Sequence, residues 1–182
     1  ISGKGRCNLT NIKEIDDFIA HYPGNGKFLY SSLVAFSNKD LIAFFEQHGV
    51  KTKVERGGRV FPESDRSLDV VNALQKALIN LGVNIRYKSR VKGLIIEDNR
   101  IKGIVFGEAS EVFNCDKVII ATGGLSYPAT GSTGDGYALA RQAGHTVIPL
   151  KPSLVPLIAK EKWVKDLQGL TLKNVEATVY CN

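Results

Sequence analysis

Apolar residues recur at helical spacing in several stretches of the chain. Ile12, Ile15, Phe18 and Ile19 form one stripe, and Asn11 followed by Glu14 reads as a capping box, so a short helix is expected over about 12–20. Pro23-Gly24-Asn25-Gly26 turns the chain. Helices are expected near 28–36 and 39–48, the second capped by Ser37 or Asn38 and ended by Gly49. The strongest stripe is Val70, Val71, Leu74, Ala77, Leu78 and Leu81, opened by Ser67 and closed by Gly82. A further helix starts at Gly134-Asp135-Gly136 and runs through Ala143 to Gly144.

Other stretches alternate with period two. Val50, Thr52 and Val54 interleave with Lys51, Lys53 and Glu55, and Gly57-Gly58 turns this run into Arg59–Phe61 as a hairpin. Val83–Lys88 reads as a strand. Leu94–Ile96 and Ile101–Phe106 form a second hairpin through Glu97–Arg100, and Val112-Phe113 adds a short strand. Lys117-Val118-Ile119-Ile120-Ala121 is nearly all apolar, the pattern of a strand buried on both faces in a parallel sheet covered by helices. After Pro152 the pattern changes to short strands near 154–158, 170–172 and 175–180, with Trp163 as a packing residue. The fold class is α/β: a parallel sheet with helices plus β-hairpins over residues 1–150, followed from 151 to 182 by the start of a β-rich domain.

Composition narrows this picture. The chain has 182 residues, 43% hydrophobic and 23% charged, which is globular rather than disordered. No apolar run approaches the ~20 residues of a membrane span, and no basic-then-apolar leader is seen, so neither membrane nor secretion is expected. Cys7, Cys115 and Cys181 are odd in number and widely spaced, which fits a reducing cytoplasm. There is no methionine, and the last residues alternate like a strand that stops, so the chain is expected to be a segment of a longer protein. Between Lys51 and Lys102 there are 12 Lys/Arg and 6 Asp/Glu, so this stretch holds the whole net charge of +6. Arg86, Lys88, Arg90 and Lys92 share one face if their segment is a strand. That face is either a phosphate track or the solvated, lysine-guarded edge of a sheet. No interleaved aromatics accompany it, which argues against single-stranded nucleic acid.

Two glycine-rich segments carry the chemistry. In the first, the apolar run ends in Thr122-Gly123-Gly124, and ligands of open α/β sheets bind outside the carboxyl ends of strands. Close behind, Thr130-Gly131-Ser132-Thr133-Gly134-Asp135-Gly136 presents amides and hydroxyls ahead of a helix N-terminus, which favours a pyrophosphate. Asp135 is placed to accept from a ribose or ribitol hydroxyl; the plainer alternative makes Thr133 or Asp135 an N-cap and the glycines turn residues. The second segment, Ser2-Gly3-Lys4-Gly5-Arg6-Cys7-Asn8-Leu9-Thr10-Asn11, is not a P-loop, because Lys4 is followed by Gly5. It reads as a loop wrapped on a cofactor's ring or ribityl chain. Cys7 lacks a nearby histidine and is more simply structural. His21, His48 and His145 have no metal-ligand spacing, no G-x-S-x-G elbow is present, and no metal site and no acid–base catalyst are named.

These two segments, together with Gly58-Arg59-Val60-Phe61-Pro62 through Leu81-Gly82-Val83, resemble the bacterial aminoacetone oxidase-like family of FAD-binding flavoproteins along essentially the whole chain. The resemblance implies a Rossmann-type FAD domain with an inserted β-rich domain, a flavin-dependent oxidoreductase acting on a small molecule, and NAD(P)H as a candidate electron donor. It implies that Gly3, Lys4, Gly5, Arg6, Cys7 and Asn8 lie against the flavin or its ribityl-phosphate chain. It places the backbone of Val91 at the adenine, Ala121, Thr122, Gly123 and Gly124 under the dinucleotide, and Gly134, Asp135 and Gly136 near the flavin end. The family's G-x-G-x-x-G unit precedes the Gly3 loop and is not in this sequence. The segment alone is therefore expected to be inactive, with an apolar face beside Val118–Ile120 left open. Two alternatives stand beside this reading: an RNA-modifying flavoprotein using the basic run, although nucleic acid is not the expected partner, and a nucleotide-binding module without redox chemistry.

Overall fold

The computed structural model describes residues 5–151, 158–172, 175–176, 178 and 180. The chain divides into two units, residues 1–145 and 146–182. The first holds all the regular helices and strands found among the described residues.

Strand β1 (Thr10–Asn11), helix α1 (Ile15–Ala20), helix α2 (Tyr30–Ala35), helix α3 (Asn38–Gln47), strands β2 (Thr52–Glu55) and β3 (Arg59–Pro62), and helix α4 (Ser67–Asn80) form its first half. The strands make an antiparallel sheet in the order β1-β3-β2. The hairpin appears as its alternation requires, Val54 facing Val60 and Lys53 facing Phe61. Val60, Phe61 and Pro62 are the most deeply buried side chains. Beside them Phe45 and Val50 meet Val70 and Ala73 of α4, with Cys7 and Leu9 against that core. Helix α3 carries a full capping box: the Ser37 hydroxyl accepts from the Asp40 amide, and the Asp40 carboxylate accepts from the Ser37 amide at 2.8 Å. The Ser37 hydroxyl also donates to the Asp40 carboxylate at 2.7 Å, and this bond together with that from the Ser37 amide holds Asp40 below the ordinary aspartate range.

The capping box expected at Asn11 and Glu14 does not form. Helix α1 begins only at Ile15, with Glu14 at its N-cap and no side-chain cap. Asn11 is drawn away instead: its Nδ2 donates to the Gly57 carbonyl at 2.7 Å, while its Oδ1 accepts from the Lys13 amide at 3.1 Å.

Strands β4 (Val91–Glu97), β5 (Arg100–Phe106) and β6 (Glu111–Asn114) form a second antiparallel sheet in chain order, with helix α5 (Asp135–Gln142) against β4. Gln142 closes the outer edge of β4. Its Oε1 accepts from the Leu94 amide at 2.9 Å and its Nε2 donates to the Leu94 carbonyl at 2.8 Å, as a neighbouring strand would.

Two strands expected in the first unit are absent. Val83–Lys88 follows the end of α4 without pairing. Lys88 has φ 54, and this left-handed residue breaks the two-residue repeat that would have put Arg86, Lys88, Arg90 and Lys92 on one face. The run 117–121 makes no ladder among the described residues, because no other described segment lies alongside to pair with it. Its apolar face stands open as expected: Ile119 is 92% exposed.

In the second unit, the regular structure among the described residues is one 3-10 turn, Lys162–Leu167. Trp163 on it is exposed rather than packed, and 170–172 is not a strand. Residues 154–157, and 177 and 179 within the run expected at 175–180, lie outside the described residues.

Candidate cofactor site

The second sheet gathers three groups of the residues singled out in the sequence. Gly136, on the first turn of α5, lies so close to Thr122 that a side chain there would overlap the Thr122 hydroxyl and come within 3.0 Å of an Ile120 methyl. Gly134 has φ +83, and a Cβ there would meet Leu125 at 2.8 Å. A Cβ on Gly123 would meet the Ser132 hydroxyl at 3.1 Å, and one on Gly124 the Tyr137 hydroxyl at 3.4 Å. The Ala121–Gly124 turn therefore nests on the loop that opens α5, and glycine permits that approach. Asp135 and Val91 line a common concavity of about 280 Å³ with Arg90 and Lys92.

Asp135 does not stand ready for a hydroxyl. Arg90 grips both its oxygens, Nε to Oδ2 and Nη2 to Oδ1, each at 2.8 Å. This pair, helped by the Thr133 side chain and opposed by burial, holds Asp135 below the ordinary aspartate range and raises Arg90. Two more residues of the expected basic face are also engaged. Arg86 lies over the rings of Phe106 and Phe113 at 5.5 and 5.8 Å, and Lys92 donates to the Glu108 carbonyl at 3.0 Å.

Val91 also borders a second concavity of about 250 Å³, walled by Ile104, Phe106 and Phe113, with Arg86 and Ser89 at its edge. Apolar walls with a few polar groups suit a flat heteroaromatic ring. Nothing in the sequence pattern joined Phe106, Phe113 and Arg86. The signal was a pair of aromatics on adjacent strands, visible only once their register is known.

The remaining candidates lie on the first sheet. Gly3 and Lys4 are outside the described residues. Gly5 has φ +88 with open space where a Cβ would sit. Cys7 has φ 65, uncommon for a residue other than glycine, and its half-buried side chain rests on the core. Asn8 turned end for end would donate to the Thr10 and Val60 carbonyls. Arg6 faces the protein: Nη1 reaches Glu55 at 2.8 Å and Asp65 at 3.4 Å, and the guanidinium lies 4.2 Å from the centre of the Phe61 ring. Among the described residues no His/Cys/Asp/Glu group is arranged to hold a metal, and no helix is long and apolar enough to cross a membrane.

Both sheets among the described residues are antiparallel, so the parallel sheet expected from the sequence does not appear there: the 117–121 run that would seed it pairs with no described strand. The Rossmann class rests on the family match. Residues 1–179 match the HI0933-like protein Rossmann domain, and the chain belongs to that family. It is similar to the 3-dehydro-bile acid delta(4,6)-reductase of Clostridium scindens, with 38% identity over 160 residues, 88% of this chain and 38% of that protein. It is also similar to the ribosomal RNA dihydrouridine synthases of Haemophilus influenzae (32% identity; 100% of this chain, 45% of that protein) and Escherichia coli (31%; 93% and 41%). The chain thus spans about two fifths of the length of these curated relatives.

Proposed function

We propose that this chain is the cofactor-holding part of an FAD-dependent reductase. Two contacts of one loop carry the reading: the Ala121–Gly124 turn nests on the Gly134–Gly136 loop, and Asp135 of that loop shares a concavity with Val91. The residues present fit a dinucleotide. The cup bounded by Val91, Phe106 and Phe113 takes a flat base, with Arg86 over the rings. At about 250 Å³ it takes a ring rather than a whole dinucleotide, so the rest would run along the glycine turns. Gly123, Gly134 and Gly136 would hold the turn against the loop along which the dinucleotide runs. Arg6 and Asp135 would act through the chain they hold, since their charged groups are paired within the protein. Bound FAD supplies hydride chemistry, with NAD(P)H as the proposed electron donor.

The substrate class follows from the compounds in the relatives' names. A 3-dehydro delta(4,6) steroid has carbon–carbon double bonds conjugated to a ketone. Dihydrouridine is uridine with the double bond beside a ring carbonyl saturated. We propose the shared chemistry, reduction of a double bond conjugated to a carbonyl, on a small molecule. A second reading, reduction of uridine in RNA, is favoured by the two dihydrouridine synthase names. Against it, Arg86, Arg90 and Lys92 already have partners within the chain.

The test incubates the whole protein under reducing conditions with a conjugated dienone steroid, or with ribosomal RNA, and reads the products by mass spectrometry. Two hydrogens gained by the steroid alone supports the small-molecule reading. Dihydrouridine in RNA supports the second, and neither product refutes the proposed reaction.

A further inference from the structure

Four charged side chains close a ring beside the first glycine-rich segment. Arg6 meets Glu55 at 2.8 Å, Glu55 meets Lys53 at 3.9 Å, Lys53 meets Asp65 at 2.6 Å, and Asp65 returns to Arg6 at 3.4 Å. Signs alternate around the ring, so every neighbour attracts. The ring stands on Phe61, whose side chain is 1% exposed and whose face lies under the Arg6 guanidinium. It therefore ties Arg6 to β2, to β3 and to the turn before α4. A second tether lies one residue away, where the Ser67 amide donates to the Gly5 carbonyl at 3.1 Å. Just beyond Arg6, the Leu9 amide donates to the Val60 carbonyl at 2.8 Å.

Between these tethers sits Cys7, at φ 65. A side chain carrying a Cβ resists that conformation, which persists only where the surroundings enforce it. Here the enforcement is visible on both sides: the ring and the Gly5 tether before Cys7, and the Leu9 bond after it. The left-handed turn drops the Cys7 side chain onto the core of Phe45, Val50, Val70 and Ala73.

We propose that Arg6 is a positioning residue: its ion-pair ring with Glu55, Lys53 and Asp65, seated on Phe61, holds Cys7 in its left-handed turn and so sets the path of the Gly5–Asn8 loop along the flavin. This rests on the FAD reading above for what the loop meets, but not for what Arg6 does to the loop. Arg6 acts through the backbone, and no contact between its guanidinium and the cofactor is needed.

The test uses the whole protein and two readouts: amide exchange across residues 5–9 without added flavin, and flavin affinity with the absorbance of the bound flavin. Arg6→Met keeps a stem over Phe61 and removes the charge. It is expected to speed exchange in the loop while α4 keeps its protection. It is also expected to weaken flavin binding about tenfold, the factor one enforced backbone conformation is worth. Cys7→Gly added to Arg6→Met is expected to restore most of both, because glycine holds the turn without enforcement. Arg6→Lys, whose ammonium reaches one carboxylate at a time, is expected to fall between. Glu55→Gln opens the ring from the other side and serves if Arg6→Met does not fold. The inference is overturned if a folded ring variant leaves exchange and flavin affinity unchanged, or if Cys7→Gly restores neither. A wild-type protein that binds no flavin refutes the FAD reading, and the exchange readout then decides the role of Arg6 alone.

Discussion

Asn38 is the buried polar residue of the described core, 6% exposed, at the first position of α3. Its Nδ2 donates to the Asn11 carbonyl at 2.6 Å and to the Lys13 carbonyl at 2.8 Å, and its Oδ1 accepts from the Lys39 amide at 3.0 Å. Asn38→Asp sets two effects against each other. A negative charge in the first turn of a helix is worth about 0.3–1 kcal/mol in its favour. The carboxylate cannot donate, however, so two part-buried carbonyls lose their partner and face a negative group instead. At about 1–3 kcal/mol per unsatisfied group, discounted because water reaches the edge of this site, the loss is about 3 kcal/mol. The loss wins by about 2 kcal/mol, a fall of roughly 4–8 °C in the melting midpoint for a unit of this size. Thermal unfolding of the whole protein, followed by circular dichroism at neutral pH, measures it. Asn38→Leu, which adds no charge, should cost less than Asn38→Asp. Asn38→Asp melting at or above the wild-type midpoint would refute the reasoning, because helix-terminal charge would then outweigh the two bonds.

Gln142→Leu removes both bonds to the Leu94 backbone and should cost about 1–3 kcal/mol, with faster exchange of the Leu94 amide as the local readout. Gly136→Ala gains about 1 kcal/mol of helix propensity but puts a methyl onto Thr122 and Ile120, an overpacking worth about 1–3 kcal/mol. It should lower flavin affinity while far-ultraviolet dichroism keeps its helix signal. Asp135 has its folded pKa depressed below the ordinary 3.8 by Arg90. The stabilisation from that pairing is present above the unfolded value of about 3.9 and is lost as pH falls through the lower folded value. Arg90→Met should therefore be less stable than wild type at neutral pH, and denaturation at falling pH should show the gap closing below about pH 4. Added salt should narrow the same gap, because the pair is at the surface.

Much of the architecture was legible because it is locally encoded. The α4 stripe, the Gly57-Gly58 hairpin, the β4–β5 hairpin, the helix opening at Asp135 and the Ser37 cap each follow from residues within a turn or two of one another. The readings that failed depended on distant partners. Asn11 was read as a cap for the next helix, but Gly57, 46 positions away, claims its amide. Val83–Lys88 had strand-like residues but no partner strand, and the left-handed Lys88 broke its face. The 117–121 run shows the same limit, since a ladder needs a neighbour and composition cannot supply one. At the candidate site the glycines were read as room for a ligand, but at Gly123, Gly134 and Gly136 that room is taken by Ser132, Leu125 and Thr122, side chains that no local pattern announces. The Arg90–Asp135 pair, 45 residues apart, and the ring around Arg6 could not be read either, because any of the chain's many charges was an equal candidate.

The most direct test of the central claim is an absorbance spectrum of the whole protein as purified and after incubation with FAD, then after anaerobic addition of NAD(P)H. The account predicts the visible and near-ultraviolet bands of oxidised flavin retained through gel filtration, bleached on reduction, and weakened in Gly136→Ala. A folded protein that shows no flavin bands even after incubation with FAD would contradict it.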